Sequence, residues 1–381
     1  MSLSIFSFIT ALIWSNTFII ILSILKNQNK FISFFSFKPL IFLIIICILR
    51  LIFMFETNHM VIIRSYDIFP NIIDLFNKTI LTIYDYKFSI LNIFIFIWVS
   101  GTIICIFTYI KELIKLKSIL KNSKPIKNPN IIKILNNVIS NSNKVYKTSI
   151  FELDFIPSPM VYGFFTPKIY LPKIHFSDEE LYYILSHEYY HFLNRDIWIK
   201  LFMHIICSIF WFNPFIHILK TNLIHMLEIR CDNKVITDKT ENEKIKYLES
   251  IMKVLKYQIA NKYLLNNTFE RLNNIVFFKN KNTSNIEQRF NIVTKNYRNK
   301  KFDIILYISI FILFIISNIY IVQPAYECTE PNAYSINSEN SYILNNNGIY
   351  EMYIDNKFVG NIKESELKKE PLSYLKIKNI K

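Results

Sequence analysis

Four stretches of the chain are almost free of charge: Ile5 to Leu25, Pro39 to Phe55, Ile90 to Ile110 and Phe302 to Val322. Each is near the ~20 residues that a helix needs to cross a hydrocarbon core, so the pattern predicts four transmembrane helices. Arg50 falls in the second, where a long side chain can carry its charge to the interface. Beyond Ile110 the third helix continues through Lys111-Glu-Leu-Ile-Lys-Leu-Lys until Pro125 and Pro129 mark a break. Ile131 to Ser142 then has helical periodicity, and Val145 to Leu153 alternates as a strand does. Ser158 to Pro172, with Gly163 and several prolines, suits a turn between two short strands. Leu181, Ile184 and Leu185 follow Ser177 and three acids, as in an N-capped helix with a buried face.

Ile197 to Leu219 is apolar and aromatic but is interrupted by Trp211-Phe-Asn213-Pro214. Proline removes a helix hydrogen bond, so this segment is predicted to dip into the membrane rather than cross it. Leu223 to Ile236 reads as a further helix. Ile245, Leu248, Ile251, Met252 and Leu255 mark an amphipathic one within Glu241 to Leu265. Asn261 to Lys301 is polar and lysine-rich, with a short helix expected around Ile286 to Val293. The tail suggests a β-hairpin turning at Asp355-Asn356.

The composition agrees with a membrane protein: of 381 residues, 52% are hydrophobic and 16% aromatic. Lys26, Lys30 and Lys38 put the first loop inside, because basic loops stay cytoplasmic. The second loop, with Glu56, Asp67, Asp74 and Asp85, is then outside, as are both termini, and Lys111 to Lys301 is cytoplasmic. The first helix lacks the basic start and small-residue cleavage site of a secretory signal. The net charge of +15 concentrates in the inner loops, where orientation explains it, so direct nucleic-acid binding is not expected. The five cysteines show no CxxC spacing and imply no disulfide framework. The expected architecture is a mainly α integral membrane protein. Residues 1–112 hold three spans (about 5–25, 39–55 and 90–110), and 113–301 form a cytoplasmic α+β domain with a re-entrant segment at 197–219. The fourth span is 302–323, and 324–381 form an external tail.

The chemistry centres on His187-Glu188-x-x-His191. Two histidines four apart on a helix project from one face and can meet one metal ion. Glu188 lies one step round, where it can reach a metal-activated water as a base. A catalytic zinc takes three protein ligands and keeps an open position. Glu228 is the expected third ligand. Asp232, one turn further, can orient a ligand histidine through its ring N–H. Cys231 reads as a small buried thiol. Val161, Tyr162, Gly163 and Phe164 are candidates for an edge strand that takes up the substrate backbone, with a purely structural hairpin as the other reading. His225, Arg230 and Tyr190 are the candidate oxyanion donors.

In their order these pieces resemble the BlaR/MecR family of antirepressor membrane zinc metallopeptidases. The motifs are Arg50, Ser158 to Pro172, His187-Glu188-x-x-His191 with Asp196, Trp211-Phe-Asn213-Pro214 and Glu228-x-x-Cys231-Asp232. The resemblance implies a gluzincin domain between the third and fourth spans, one Zn2+ held by His187, His191 and Glu228, and Asp196 supporting the site. It also implies a cytoplasmic winged-helix repressor as substrate, with self-cleavage as part of activation; a homodimer is a further partner to expect. Well-known members end in an external penicillin-binding sensor. Tyr326 to Lys381 is far too short for that domain, which puts β-lactam sensing in question. Ser365-x-x-Lys368 and Ser373-x-x-Lys376 match its acylation motif only trivially. The alternatives are a membrane quality-control peptidase of broad range and a non-proteolytic receptor that keeps zinc as structure.

Overall fold

The structure is a computed structural model. It describes residues 5–27, 37–54, 61–66, 68–83, 86–142, 144–153, 156–260, 283–294, 300–324, 336, 340–346, 349–363, 367, 372 and 375–379. The chain begins α1 (Ile5–Asn27), α2 (Phe37–Ile52), β1 (Val61–Ser65), α3 (Ile68–Asn77), β2 (Thr79–Ile83), β3 (Tyr86–Ser89) and α4 (Ile90–Lys121). It continues through β4 (Lys124–Pro125), α5 (Pro129–Ser140), β5 (Ser149–Glu152), β6 (Met160–Tyr162), β7 (Lys168–Leu171), α6 (Asp178–Leu193), α7 (Asp196–Ile209) and α8 (Pro214–Ile236). The remainder is α9 (Glu241–Ala260), α10 (Thr283–Thr294), α11 (Lys300–Ile319), β8 (Tyr320–Pro324), β9 (Ser341–Asn346), β10 (Ile349–Ile354), β11 (Lys357–Ile362) and β12 (Lys376–Asn379). Most of Asn261 to Lys301 lies outside the described residues, apart from α10 and the start of α11.

Two compact units are distinguishable, residues 1–63 with 75–322 and residues 64–74 with 323–381. The second contains an antiparallel β9–β10–β11 meander, with β12 added parallel to β9. Asp355 and Asn356 join β10 to β11 with φ of 49° and 61°, the positive values that a tight two-residue hairpin turn requires. Ile343, Met352, Ile354 and Leu375 fill its small core.

In the first unit, α1 and α4 are long and apolar enough to cross a membrane by length and composition. The other two expected spans are shorter. α2 has 16 residues, about 24 Å at 1.5 Å per residue, and the apolar part of α11 is Asp303–Ile319. The apolar stretch of α4 turns its side chains outward, Phe96 being 74% exposed, and its first buried residues are Leu116 and Leu120. Those two pack with Leu153, Ile156, Met160 and Tyr170 and so tie the helix to the sheet.

The segment from Ile197 to Leu219 is a helical hairpin. Pro214 does not kink it: it occupies the first turn of α8, where its missing N–H is no loss, and Asn213 caps that helix by accepting from Phe215 N at 3.0 Å. α7 runs antiparallel to α4. Tyr109 stacks on His204 with ring centroids 4.1 Å apart, while Trp98 Nε1 donates to Ile209 O at 2.6 Å. Trp211 Nε1 donates back to Trp98 O at 3.3 Å. Gly101 makes room for this, since a Cβ there would lie 2.5 Å from the Trp211 ring. The turn between α7 and α8 therefore sits level with the apolar middle of α4.

The domain around α6 has its own core: Leu135, Val138, Ile150, Ile169, Leu181, Leu185 and Tyr189 are buried together. Its sheet has the order β4-β5-β7-β6, which leaves β6 as an edge. β6 and β7 form the hairpin around Gly163, which has φ +130°. A Cβ at that position would approach Thr166 O to 2.1 Å, so only glycine fits.

Candidate metal centre

The site is built on α6, whose start is fixed by a capping box. Ser177 Oγ accepts from Glu180 N at 3.3 Å, and Glu180 Oε2 accepts from Ser177 N at 2.8 Å. Lys253 and Lys246 of α9 reach Glu180 and Glu179 at 2.6 and 2.8 Å and hold α9 alongside. At the other end Arg195 adopts the left-handed conformation (φ 58°) and reverses the chain within two residues. That reversal brings Asp196, 1% exposed, back to His191, whose Nδ1 is 2.6 Å from Asp196 Oδ2. Arg230 pairs with the other oxygen of Asp196.

His187 is supported differently. Its Nδ1 lies 2.9 Å from the Tyr247 hydroxyl and 3.3 Å from Asp232 Oδ1. Tyr247 donates to Asp232 Oδ1 at 2.5 Å, and Arg289 grips Asp232 with two N–H donors at 2.6 and 2.7 Å. Both imidazoles thus have an acceptor at Nδ1, which favours the tautomer that leaves Nε2 without a proton.

The two Nε2 atoms are 3.1 Å apart, and Glu228 brings one carboxylate oxygen to 3.6 Å from His187 Nε2 and the other to 3.5 Å from His191 Nε2. Two nitrogen lone pairs do not face each other at that distance without a proton or a cation between them. Three N and O ligands around one tetrahedral zinc, bonded at 2.0–2.2 Å, lie about 3.3–3.6 Å from one another. The donor set therefore fits a zinc-sized ion. Burial works against the His187 imidazolium, but the Asp232 and Glu228 carboxylates prevail and lift His187 to about 9. Burial likewise works against the Glu228 carboxylate, and the His191, His187 and Arg289 charges outweigh it and hold Glu228 well below the usual carboxylate range. Asp232 is held low in the same way by Arg289, against its burial.

Glu188 lines the same cavity as the three ligand candidates, as do Met160, Val161, Tyr162 and Phe164. The edge strand β6 thus runs along one wall. Gly163 is not in that wall; it turns the chain at the hairpin tip, where Phe164 and Phe165 meet the Trp198 ring. Tyr109 and Leu113 of α4 complete the apolar side.

The three oxyanion candidates are engaged elsewhere or lie apart. His225 bonds Gln288 at 3.0 Å, Arg230 bonds Asp196, and Tyr190 does not line the cavity. Cys231 is fully buried behind His191, 3.2 Å from Nδ1. His191, Asp196 and Cys231 form a second cluster of ligand-type side chains, but it would need the Nδ1 that Asp196 already holds. Two residues of the site carry no local signal in the sequence: Tyr247 on α9 and Arg289 on α10. The one available hint is the choice of arginine inside a short helix in a chain whose basic residues are mostly lysine, since a planar fork suits a bidentate carboxylate.

A sequence profile of the BlaR1 peptidase M56 family matches residues 77–293. The chain belongs to this family. The M56 segment takes in every residue of the site, from the β6 edge to Arg289. Among similar proteins, the regulatory protein BlaR1 of Staphylococcus aureus is 30% identical over 304 residues, 76% of this chain and 50% of that protein. A methicillin resistance mecR1 protein of Staphylococcus aureus is 30% identical over 204 residues, 50% of this chain and 34% of that protein. The regulatory protein BlaR1 of Bacillus licheniformis is 27% identical over 162 residues, 42% of this chain and 27% of that protein. The chain spans half or less of the length of these relatives. M56 membership makes this a peptidase-family chain whose His/Glu cluster is compatible with a bound metal.

Proposed function

We propose that the chain is a zinc-dependent endopeptidase of the cell membrane that hydrolyses peptide bonds at the cytoplasmic face and transmits a signal by cutting a transcriptional repressor, and itself during activation. The observation that carries the reading is the convergence of His187 Nε2, His191 Nε2 and the Glu228 carboxylate beside Glu188, in a cavity walled by an edge strand. His187, His191 and Glu228 would hold the zinc, which when bound polarises water and the scissile carbonyl. Glu188 takes the proton from the attacking water and returns it to the leaving amine. Among the described residues it has no bonding partner of its own, so its carboxylate is available for that exchange. Asp196 and Asp232 keep the imidazoles in the ligating tautomer. The backbone of β6 at Val161 and Tyr162 takes up the substrate as an added strand, and the Gly163-Phe164 tip shapes its end.

The membrane part of the reading is four spans with both termini outside. It is supported by the gathering of residues 64–74 with the 323–381 tail in one unit, since two segments that pack together lie on one side of a bilayer. A protease added outside intact cells is expected to remove a C-terminal tag and spare one inserted near Asn280. The opposite pattern contradicts this orientation. The repressor as substrate is tested by trapping with Glu188→Gln in the full chain. Enrichment of one soluble DNA-binding regulator supports the reading, and enrichment of many membrane proteins supports broad quality control instead.

A further inference from the structure

The roles proposed so far leave out α10, which faces two parts of the molecule at once. Arg289 bonds Asp232 at 2.6 and 2.7 Å and reaches Glu228 Oε2 with Nη1 at 3.2 Å. One guanidinium thus fixes both the proposed third ligand and the carboxylate behind His187. Its neighbour Gln288, 6% exposed, meets a different part of the molecule. Gln288 Nε2 donates to Lys26 O at the end of α1 at 3.0 Å, and Gln288 Oε1 lies 3.0 Å from His225 Nε2. Lys26 Nζ in turn donates to Asn222 Oδ1 at 3.1 Å, and Asn222 Nδ2 donates to Ser23 Oγ at 2.9 Å. Asn222 and His225 lie on α8 within two turns of Glu228.

A helix of 12 residues is marginal by itself, so its position is set by what it docks against. Adjacent residues on a helix point about 100° apart, so a single shift of α10 breaks both anchors together. Buried amides such as Gln288 hold their place only while hydrogen-bonded. Gln288 reaches no ligand candidate, yet it fixes the register of the residue that does.

We propose that α10 is a positioning latch, in which Gln288 docks the helix on the α1–α8 joint and so holds Arg289 where it fixes Glu228 and Asp232. Displacement of α1 against α8 is then read out as a change in zinc affinity. Gln288 and Arg289 are positioning residues in this scheme. The inference rests on the zinc reading above, and its test reads the metal rather than cleavage.

The experiment is chelator competition for zinc with the detergent-solubilised full chain, alongside thermal unfolding of the metal-free protein. Arg289→Lys is expected to weaken zinc binding about 10- to 100-fold, as loss of a group supporting the ligands does. Gln288→Ala is expected to weaken it about fivefold although it touches no ligand, and the double variant to match Arg289→Lys within about twofold, because the two act through one element. Should Gln288→Ala fold poorly, Asn222→Ala removes the partner of Lys26 in the same joint and is expected to move affinity in the same direction. A Gln288→Ala chain with wild-type zinc affinity, even if less heat-stable, overturns the latch, as does a double variant whose losses multiply. A wild-type chain that binds no zinc overturns the metal reading as well, which separates the two failures.

Discussion

The two histidines of α6 obtain the same support by opposite routes. His191 is held by Asp196, five residues away, placed by one left-handed residue at the helix end. His187 is held by Asp232, Tyr247 and Arg289, which come from three other helices. The local arrangement forms whenever α6 and the start of α7 fold. The remote one forms only when α8, α9 and α10 are docked. The support of one histidine is therefore set mainly by sequence proximity, whereas that of the other reports on tertiary assembly.

The largest expected effect separates chemistry from either kind of support. Glu188→Gln is expected to lower the rate of peptide cleavage by about 10²- to 10⁴-fold, the range for loss of a general base, with zinc content unchanged. Cleavage at the normal rate would exclude this base. Next, Asp196→Asn and Asp232→Asn should each weaken zinc binding about 10- to 100-fold. They should differ in degree of destabilisation. Asp232→Asn costs Arg289, 12% exposed and held by two N–H bonds, its main partner, a loss of about 3–5 kcal/mol. Asp196→Asn strands Arg230, which is 21% exposed and held by one bond, and should cost less. Equal unfolding midpoints for the two variants would contradict the distinction.

The pH dependence is of similar size and has two signs. His187 in the metal-free chain holds its proton up to about 9, so zinc must displace it. Apparent zinc affinity should rise about tenfold per pH unit from pH 7 toward 9 and then level off. The metal-free protein should do the reverse. A raised folded-state pKa contributes stability that is full below the unfolded value of about 6.5 and is lost as pH rises through about 9. Parallel trends in the two measurements would count against a proton and a metal competing for His187. The smallest effect concerns the cavity wall. Gly163→Ala should strain the β6–β7 hairpin by about 1–3 kcal/mol and raise KM for a peptide without changing zinc affinity. An unchanged KM in a variant that shows the loss of stability would remove the edge strand from substrate binding.

The same contrast explains what the sequence disclosed. The spacing of His187 and His191, the Ser177 cap and the Asp355-Asn356 turn are short-range patterns, and each follows from backbone geometry within a few residues. Glu228 and Asp232 stood out as candidates because residues one helical turn apart share a face, and a metal held by two histidines calls for a third ligand. Tyr247 and Arg289 were not legible. A tyrosine in an amphipathic helix and an arginine in a polar stretch acquire a role only through docking between distant elements. Pro214 illustrates a third case: its local effect was clear, yet whether it kinks a helix or opens a new one depended on Asn213 acting as a cap.

X-ray absorption at the zinc edge, on the full chain loaded with one equivalent of zinc, addresses the donor set directly. The account predicts one zinc per chain with two imidazole nitrogens and carboxylate oxygen at about 2.0–2.2 Å, and in Glu228→Ala a changed first shell in which solvent oxygen replaces the carboxylate while both imidazoles stay. A sulfur neighbour at about 2.3 Å, which would be Cys231, or a spectrum unchanged by Glu228→Ala would contradict it.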